Sequence, residues 1–209
     1  MFQKSKTFKR CSAVAAVFGL SIISLVLATE AAKKRDFKGQ AEFWFCKKGS
    51  SGKWEVFDKW IARDLTFKVS VTDIATGKEF TSNGVWQGES EKGHHISTRL
   101  SRPGSAEVSL ADGSVRVVVP FEVTIDGKSL RESFTATSGT TEGPTGPISG
   151  QRAVFDAAAH VLKINVVGSK PVRVPAEIVD GTSNTLVAAE QKTILVVARL
   201  EGEFKKAAQ

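Results

Sequence analysis

The chain has 209 residues, 24% of them charged, and a formal net charge of +7 at pH 7. This length suits one hydrophobic core, and the basic residues are scattered instead of clustered beside base-stacking side chains, which argues against a nucleic-acid-binding protein. The motifs G-x-S-x-G, H-E-x-x-H and C-x-x-C do not occur in the sequence, so the common signatures of serine hydrolases, zinc proteases and redox enzymes are missing and no cofactor is expected.

The first 31 residues have the pattern of an export leader. Basic residues between Lys4 and Arg10 precede an uncharged apolar run over residues 11–29. A positive start followed by an apolar run and small residues is typical of a signal peptide. The run is also long enough to span a bilayer as a helix. We therefore predict a signal peptide or membrane anchor over 1–31 and one extracytoplasmic domain over 32–209, which is periplasmic, secreted or anchored in the cytoplasmic membrane.

Beyond the leader, apolar and polar side chains alternate. From Leu65 to Thr72 every second residue is apolar, which is the pattern of a half-buried strand. Trp44 lies between Phe43 and Phe45, so a strand here carries aromatic side chains on both faces. One set can fill a core, whereas the other is either covered by another element or forms a platform for a glycan, peptide or lipid. The candidate ligand-binding tryptophans are Trp44, Trp54 and Trp60.

One cysteine, Cys46, lies beyond the leader. A lone thiol cannot close an internal disulfide. We interpret Cys46 as a small buried hydrophobic residue, with an intermolecular bridge or a reactive thiol as alternatives.

Four residues with metal-ligating side chains lie close together in the sequence: Glu89, Glu91, His94 and His95. In a strand, neighbouring side chains point to opposite faces, so the two histidines can share an ion only in a loop. A metal site here predicts a metal-assisted envelope enzyme. A solvated loop without a metal is the alternative interpretation.

The clearest structural signal runs from Ser105 to Thr137, where Asp-Gly pairs at 112–113 and 126–127 separate alternating runs. Asp-Gly favours a two-residue type I′ turn, because both central positions need a positive φ. We therefore predict a three-stranded meander with one apolar face. Two-residue loops give these cross-strand pairs: Leu110 with Val115, Val108 with Val117 and Ala106 with Val119 at the first turn, and Val123 with Leu130, Val119 with Phe134 and Glu122 with Arg131 at the second.

Two residues do not fit a regular meander. Pro120 removes a ladder hydrogen bond in mid-strand, which predicts a bulge or a free edge. Glu132 falls on the apolar face opposite Phe121, so either the strand breaks its register there or an acidic group lies inside a ligand cavity. The second alternative makes Glu132 a candidate ligand-binding residue in a small barrel that carries an apolar ligand.

The remaining chain continues in short strands. Gly139–Gly150 is a loop rich in glycine, proline and threonine, and Asp156–His160 could form one helical turn. Five further strands are predicted: Arg152–Phe155, Val161–Val167, Val172–Ile178, Thr185–Ala189 and Ile194–Leu200. Many short strands separated by turns indicate an all-β fold. After the N-terminal apolar helix we predict one antiparallel β-sandwich, with a small β-barrel as the alternative.

Four residues that can form a turn or bind a cation lie close together: Asp180, Thr182, Ser183 and Asn184. Their side chains can hydrogen-bond nearby backbone and fix a tight turn, or give oxygen ligands to calcium. The segment Asp180–Thr185 resembles the DGTSNT signature of a large family of exported, prepilin-like bacterial proteins of unknown function. Ala111–Arg116 is similar to a second motif of that family. The resemblance implies an envelope protein and no particular activity.

These features predict an exported, envelope-associated β-sandwich that acts as a non-catalytic binding or structural module. Its partner would be a glycan or protein of the cell envelope, and also the membrane if residues 11–29 are retained. The surface candidates are the aromatic residues between Trp44 and Trp60 and the Gly139–Gly150 loop. The alternatives are the metal-assisted envelope enzyme and the apolar-ligand carrier.

Overall fold

A computed structural model describes residues 33–71, 76–131, 133–180 and 190–206. The chain separates into two units, Met1–Glu30 and Ala31–Gln209, and the fold belongs to the second. The predicted leader and its apolar helix lie outside the described residues. Within the described ranges, no helix is long and apolar enough to cross a membrane.

The described residues are almost entirely strands, as the alternation of side chains predicts. One short helix, α1, spans Ala176–Asp180. The strands are β1 Lys33–Lys48, β2 Trp54–Val71, β3 Thr76–Thr81, β4 Val85–Glu89, β5 His95–Leu100, β6 Gly104–Val108, β7 Val115–Val119, β8 Phe121–Ile125, β9 Lys128–Arg131, β10 Phe134–Thr137, β11 Thr140–Gly143, β12 Gly146–Ser149, β13 Val154–Asp156, β14 Val161–Pro175 and β15 Gln191–Lys206.

The described strands form three antiparallel sheets. The largest has the order β10-β7-β6-β3-β2-β1-β15-β14-β13, the second has the order β4-β5-β8-β9, and the third consists of β11 and β12. Thr137 of β10 also pairs with Val167 of β14, so the large sheet curls until its first strand meets its last but one.

The four-stranded sheet covers one face of the large sheet. The ring of Phe43 in β1 lies 5.7 Å from that of Phe121 in β8, and the ring of Phe67 in β2 lies 5.4 Å from that of Trp86 in β4. Two packed antiparallel sheets with apolar side chains between them form a sandwich-like arrangement. The predicted antiparallel β-sandwich is therefore confirmed.

A glycine pair shapes the inner face of the sheet. Gly39 of β1 lies directly opposite Gly202 of β15. A Cβ atom added to Gly202 would lie 2.4 Å from the ring of Phe37, and one added to Gly39 would lie 2.2 Å from the carbonyl oxygen of Glu201. The missing side chains thus make room for Phe37, whose ring lies 5.4 Å from Phe67 and is 1% exposed.

The two Asp-Gly turns differ. At the second turn Val123 pairs with Leu130 and Val119 with Phe134, as predicted, and Asp126 and Gly127 both have positive φ. At the first turn the predicted register is wrong by two residues, because Val108, not Leu110, pairs with Val115 and Ala106 pairs with Val117. Only the glycine has positive φ there, so the loop is longer than two residues.

Pro120 marks a change of sheet. β7 pairs with β10 in the large sheet, whereas β8 pairs with β5 and β9 in the four-stranded sheet. The Pro120 carbonyl accepts hydrogen bonds from the backbone N–H and the hydroxyl of Ser101, both at 2.9 Å. The predicted bulge or free edge at Pro120 is instead a corner where the chain passes between layers. Glu132 lies outside the described residues.

The last third of the chain departs from prediction in its boundaries. The Gly139–Gly150 loop contains the hairpin of β11 and β12. Residues 161–175 form one continuous strand where two were predicted, and Ile178 lies in α1. Residues 157–160 form a turn, in which the Asp156 carboxylate accepts a hydrogen bond from the Ala159 N–H at 3.0 Å. The predicted strand Thr185–Ala189 lies outside the described residues.

Candidate functional site

The face of the large sheet turned away from the core carries a second apolar cluster. Side chains alternate along β1, so Trp44 points away from its buried neighbours Phe43 and Phe45. We call this group the outer-face cluster. Its buried members are Cys46, Val167, Leu195 and Val197, and its partly buried members are Trp44, Trp54 and Ile148.

The β11–β12 hairpin covers one side of the outer-face cluster. Ile148 of β12 packs against it. The hydroxyls of Thr141 in β11 and Ser169 in β14 lie 2.9 Å apart, within hydrogen-bonding distance. A guanidinium nitrogen of Arg199 donates to the carbonyl oxygen of Ser149 at 3.5 Å. The loop and the aromatic residues that the sequence named separately therefore belong to one surface.

Two cations lie over the tryptophans of the cluster. The guanidinium carbon of Arg199 is 5.6 Å from the centre of the Trp44 ring, and Lys48 Nζ is 5.6 Å from the centre of the Trp54 ring. A cation within about 6 Å of an indole face is attracted by the ring quadrupole. Val56, which pairs with Cys46 across the β1–β2 ladder, is 43% exposed. The surface thus combines indole rings, an exposed aliphatic side chain and positive charge.

Cys46 lies beneath this surface and is 0% exposed. Burial raises the pKa of its thiol to about 11. The thiolate is the reactive form of cysteine, so this residue is a poor nucleophile while the cluster stays closed. The interpretation of Cys46 as a buried hydrophobic residue is confirmed.

Trp60, the third candidate tryptophan, belongs to the core instead. Its ring stacks on that of Phe43 at 5.6 Å, and its side chain is 5% exposed. Two shifts in the β1–β2 register lie on either side of it along the ladder. Trp60 therefore offers no surface to a ligand.

The predicted metal-ligating residues are not gathered into one set. His95 pairs with Glu89 across the β4–β5 ladder. His94 Nδ1 instead lies 2.6 Å from a carboxylate oxygen of Asp126, and the other oxygen accepts the His95 backbone N–H at 2.9 Å. Among the residues that the structure describes, no group of three or more His, Cys, Asp or Glu is placed to hold a metal ion.

The Asp126 partnership was missed by the sequence reasoning, which treated Asp126 only as a turn residue. The hydrogen bond with His94 holds the pKa of the Asp126 carboxyl below its usual value; burial opposes this, and the His95 N–H adds to it. Asp126 follows β8 and His94 precedes β5. Their contact could have been predicted from the sequence only if the pairing of β5 with β8 were known. The pair ties two turns of the four-stranded sheet together.

The remaining candidates are placed as follows. The Asp180 carboxylate contacts the Lys192 ammonium, and this hydrogen bond raises the pKa of Lys192. Thr182, Ser183 and Asn184 lie outside the described residues.

A gap in the core beside Phe45, Val123 and Phe134 measures about 10 Å³, which is far below the several hundred Å³ of ligand pockets.

No protein-family model and no curated protein matches the chain. The fold and the site therefore define the class of the molecule directly: a β-sandwich with an aromatic and cationic surface on the outer face of its larger sheet.

Proposed function

We propose that the chain is an exported, non-catalytic binding module that attaches to a component of the cell envelope through the outer-face cluster. The observation that carries this proposal is the position of Trp44 and Trp54. Both indole rings lie on the outer face of the large sheet, partly exposed, under the side chains of Arg199 and Lys48.

The composition of this surface supports binding. Tryptophan and arginine are enriched among the residues that contribute most to binding at protein interfaces, and the rim of such interfaces is polar. The rings are held in place by buried Cys46, Val167 and Val197, so little side-chain entropy is lost when a partner covers them. Exposed aromatic surface that is already ordered favours recognition.

The compartment follows from the leader. The positive n-region and the apolar run of residues 11–29 predict export. A retained leader would leave the domain attached to the membrane, and a cleaved leader would release it. Either outcome brings the outer-face cluster to components outside the cytoplasm.

The test is sedimentation of the full-length chain with detergent-extracted cell envelopes, which lack a bilayer for residues 11–29 to enter. We expect Trp44→Ala and Trp54→Ala each to weaken binding about tenfold or more, the range of interface hot spots. Val85→Ala is the control, because Val85 is an exposed apolar residue of β4 in the other sheet.

The double variant gives the decisive comparison. Unchanged binding of Trp44→Ala/Trp54→Ala, with a native circular dichroism spectrum, would contradict the proposal. Equal losses in the double variant and in Val85→Ala would also contradict it, because the effect would then not be specific to the outer-face cluster.

A further inference from the structure

A groove lined mostly by charged and amide-bearing residues lies beside the outer-face cluster. It measures about 710 Å³ and is open to solvent along one side. Its floor includes Gln40 of β1, Glu201 of β15 and Asn165 of β14, which are neighbours across two ladders. Arg63 and Asp64 of β2 form one wall, and the segment 151–154 forms the other.

The groove and the outer-face cluster share one face of the sheet. Gln40 and Trp44 lie four positions apart on β1, and Glu201 and Val197 lie four positions apart on β15. The β1–β15 ladder runs without a register shift from Arg35 to Cys46. Side chains separated by an even number of positions point the same way, so one continuous surface leads from the groove to Trp44.

A β-bulge in β2 forms the wall at Arg63 and Asp64. The β1–β2 register shifts between Gly39 and Ala41, which leaves these two residues opposite Gln40. Asp64 has a φ of 56°, in the left-handed region, and its carbonyl accepts a hydrogen bond from Trp86 Nε1 at 3.2 Å. A bulge of this kind re-aims side chains. Here it sets a basic and an acidic side chain at the edge of the groove.

Two buried polar atoms, on neighbouring residues of this face, have no hydrogen-bond partner among the described residues. They are the side-chain oxygen of Asn165, which lines the groove, and Nε of Arg199. Asn165 pairs with Glu201, so Arg199 is its diagonal neighbour, at a Cβ separation of roughly 7 Å. One atom accepts a hydrogen bond and the other donates one. A hydroxyl group can do both, so a ligand rich in hydroxyls would satisfy the two atoms if their side chains turn toward it.

The charges of the groove narrow the ligand class. Lys38, Arg63, Arg152 and Lys163 alternate with Asp64, Glu201 and Glu203 around the lining. Polyanions such as nucleic acids bind surfaces of one sign, and a mixed lining of carboxylates, amides and cations repels them in part. The same side chains offer both donors and acceptors to a neutral ligand.

We propose that this groove binds a neutral carbohydrate chain, whose next ring stacks on Trp44. The inference rests on the proposed function and names the chemistry of its ligand. From Lys38 to Trp44 the surface extends roughly 20 Å along β1, a length that suits an oligosaccharide better than a single sugar. The C–H bonds of a pyranose face are attracted to the electron-rich face of an indole.

The experiment is isothermal titration of the full-length chain with four neutral hexasaccharides: cellohexaose, chitohexaose, maltohexaose and xylohexaose. Polygalacturonate and vesicles of phosphatidylglycerol are tested in parallel. We expect at least one hexasaccharide to bind, and Asn165→Ala and Trp44→Ala each to weaken that binding about tenfold, the effect of one lost polar or stacking contact. Asn83→Ala, an exposed asparagine outside this groove, should leave binding unchanged.

Three results would overturn the inference. Failure of all four hexasaccharides to bind is the first, binding of polygalacturonate or vesicles alone is the second, and hexasaccharide binding that survives Asn165→Ala is the third. The two proposals can fail separately. If envelope binding depends on Trp44 but no hexasaccharide binds, the carbohydrate inference is refuted and the proposed binding module remains. The opposite result is hexasaccharide binding that requires Asn165 and envelope binding that does not depend on Trp44 or Trp54. It would refute the proposed envelope attachment and keep the carbohydrate site.

Discussion

The two faces of β1 are covered in different ways. On the inner face, Phe43 is 0% exposed and its ring meets Trp60, Phe121 and Phe134 at 5.6, 5.7 and 6.2 Å. On the outer face, Trp44 is covered only in part, by a cation and a small hairpin. Adjacent residues of one strand therefore differ in role: the inner one stabilises the fold, and the outer one remains partly exposed.

The largest expected effect separates the two faces by stability. Phe43→Ala should reduce the free energy of unfolding by about 3–5 kcal/mol, the range for large aromatic residues removed from cores. Trp44→Ala should cost about 1 kcal/mol, near the centre of the distribution for point substitutions. Urea denaturation of the full-length variants, followed by circular dichroism, measures both. Equal losses would show that the outer face is as much a part of the core as the inner one.

An intermediate effect concerns how tightly the outer face is closed. The chain has two cysteines, so Cys11→Ser leaves Cys46 as the only thiol. Because Cys46 is buried and its thiol has a pKa of about 11, a disulfide reagent at pH 8 should modify it slowly. Adding Trp54→Ala should speed the reaction about tenfold. This corresponds to a decrease of about 1.4 kcal/mol in the free energy needed to expose the thiol. Adding Val85→Ala, at an exposed residue of β4, should leave the rate unchanged, and rapid modification before any substitution would contradict the closed cluster.

The smallest expected effect on stability comes from Asp126, which lies on neither face of β1. The pKa of Asp126 is lowered in the folded protein, so its ionised form stabilises the fold above the unfolded pKa of about 3.9, and this contribution disappears as pH falls through the folded value. The stability difference between the wild type and Asp126→Asn should therefore be present at pH 6 and shrink below pH 4. Denaturant midpoints at several pH values measure it.

Asp112 at the other Asp-Gly turn is the matched control. Its pKa is lowered to about 2, chiefly by the backbone hydrogen bond from Ser114, and it has no histidine partner. The difference between the wild type and Asp112→Asn should also decrease below pH 4 and be lost as pH approaches 2, without any contribution from a histidine. A difference for Asp126 that stays constant from pH 6 to pH 3 would mean that its charge has no part in stability.

Alternation of side chains was sufficient to predict the sandwich and the inner face, because burial of one side of a strand is a local pattern. The register at Asp126-Gly127 was also predictable, since both residues adopt positive φ as a type I′ turn requires. At Asp112-Gly113 the carboxylate of Asp112 instead accepts the Ser114 N–H at 2.9 Å. That side-chain contact lengthens the loop, and residue types alone did not distinguish the two turns.

The site was only partly predictable for a different reason. The sequence singled out Trp44 and Trp54 as surplus aromatic residues and Gly139–Gly150 as an exposed loop. It did not predict that the two meet, because their contact depends on the positions of β14 and β15 beside β1. Asn165 carried no local signal at all. Its proposed role rests on a side-chain oxygen without a hydrogen-bond partner, which only the three-dimensional arrangement of neighbours can reveal.

The placement of β1 also determines how the domain would bear a mechanical load. Its first residue, Lys33, is the strand residue nearest in sequence to the predicted leader over 1–31, and the outer-face cluster lies near the other end of β1. Tension between a membrane tether and a captured polymer would run along this strand, which is bonded to β2 on one side and β15 on the other. Interstrand hydrogen bonds lie perpendicular to that direction. These hydrogen bonds would be loaded in shear, all at the same time, instead of breaking one after another. The central strand would therefore resist mechanical unfolding.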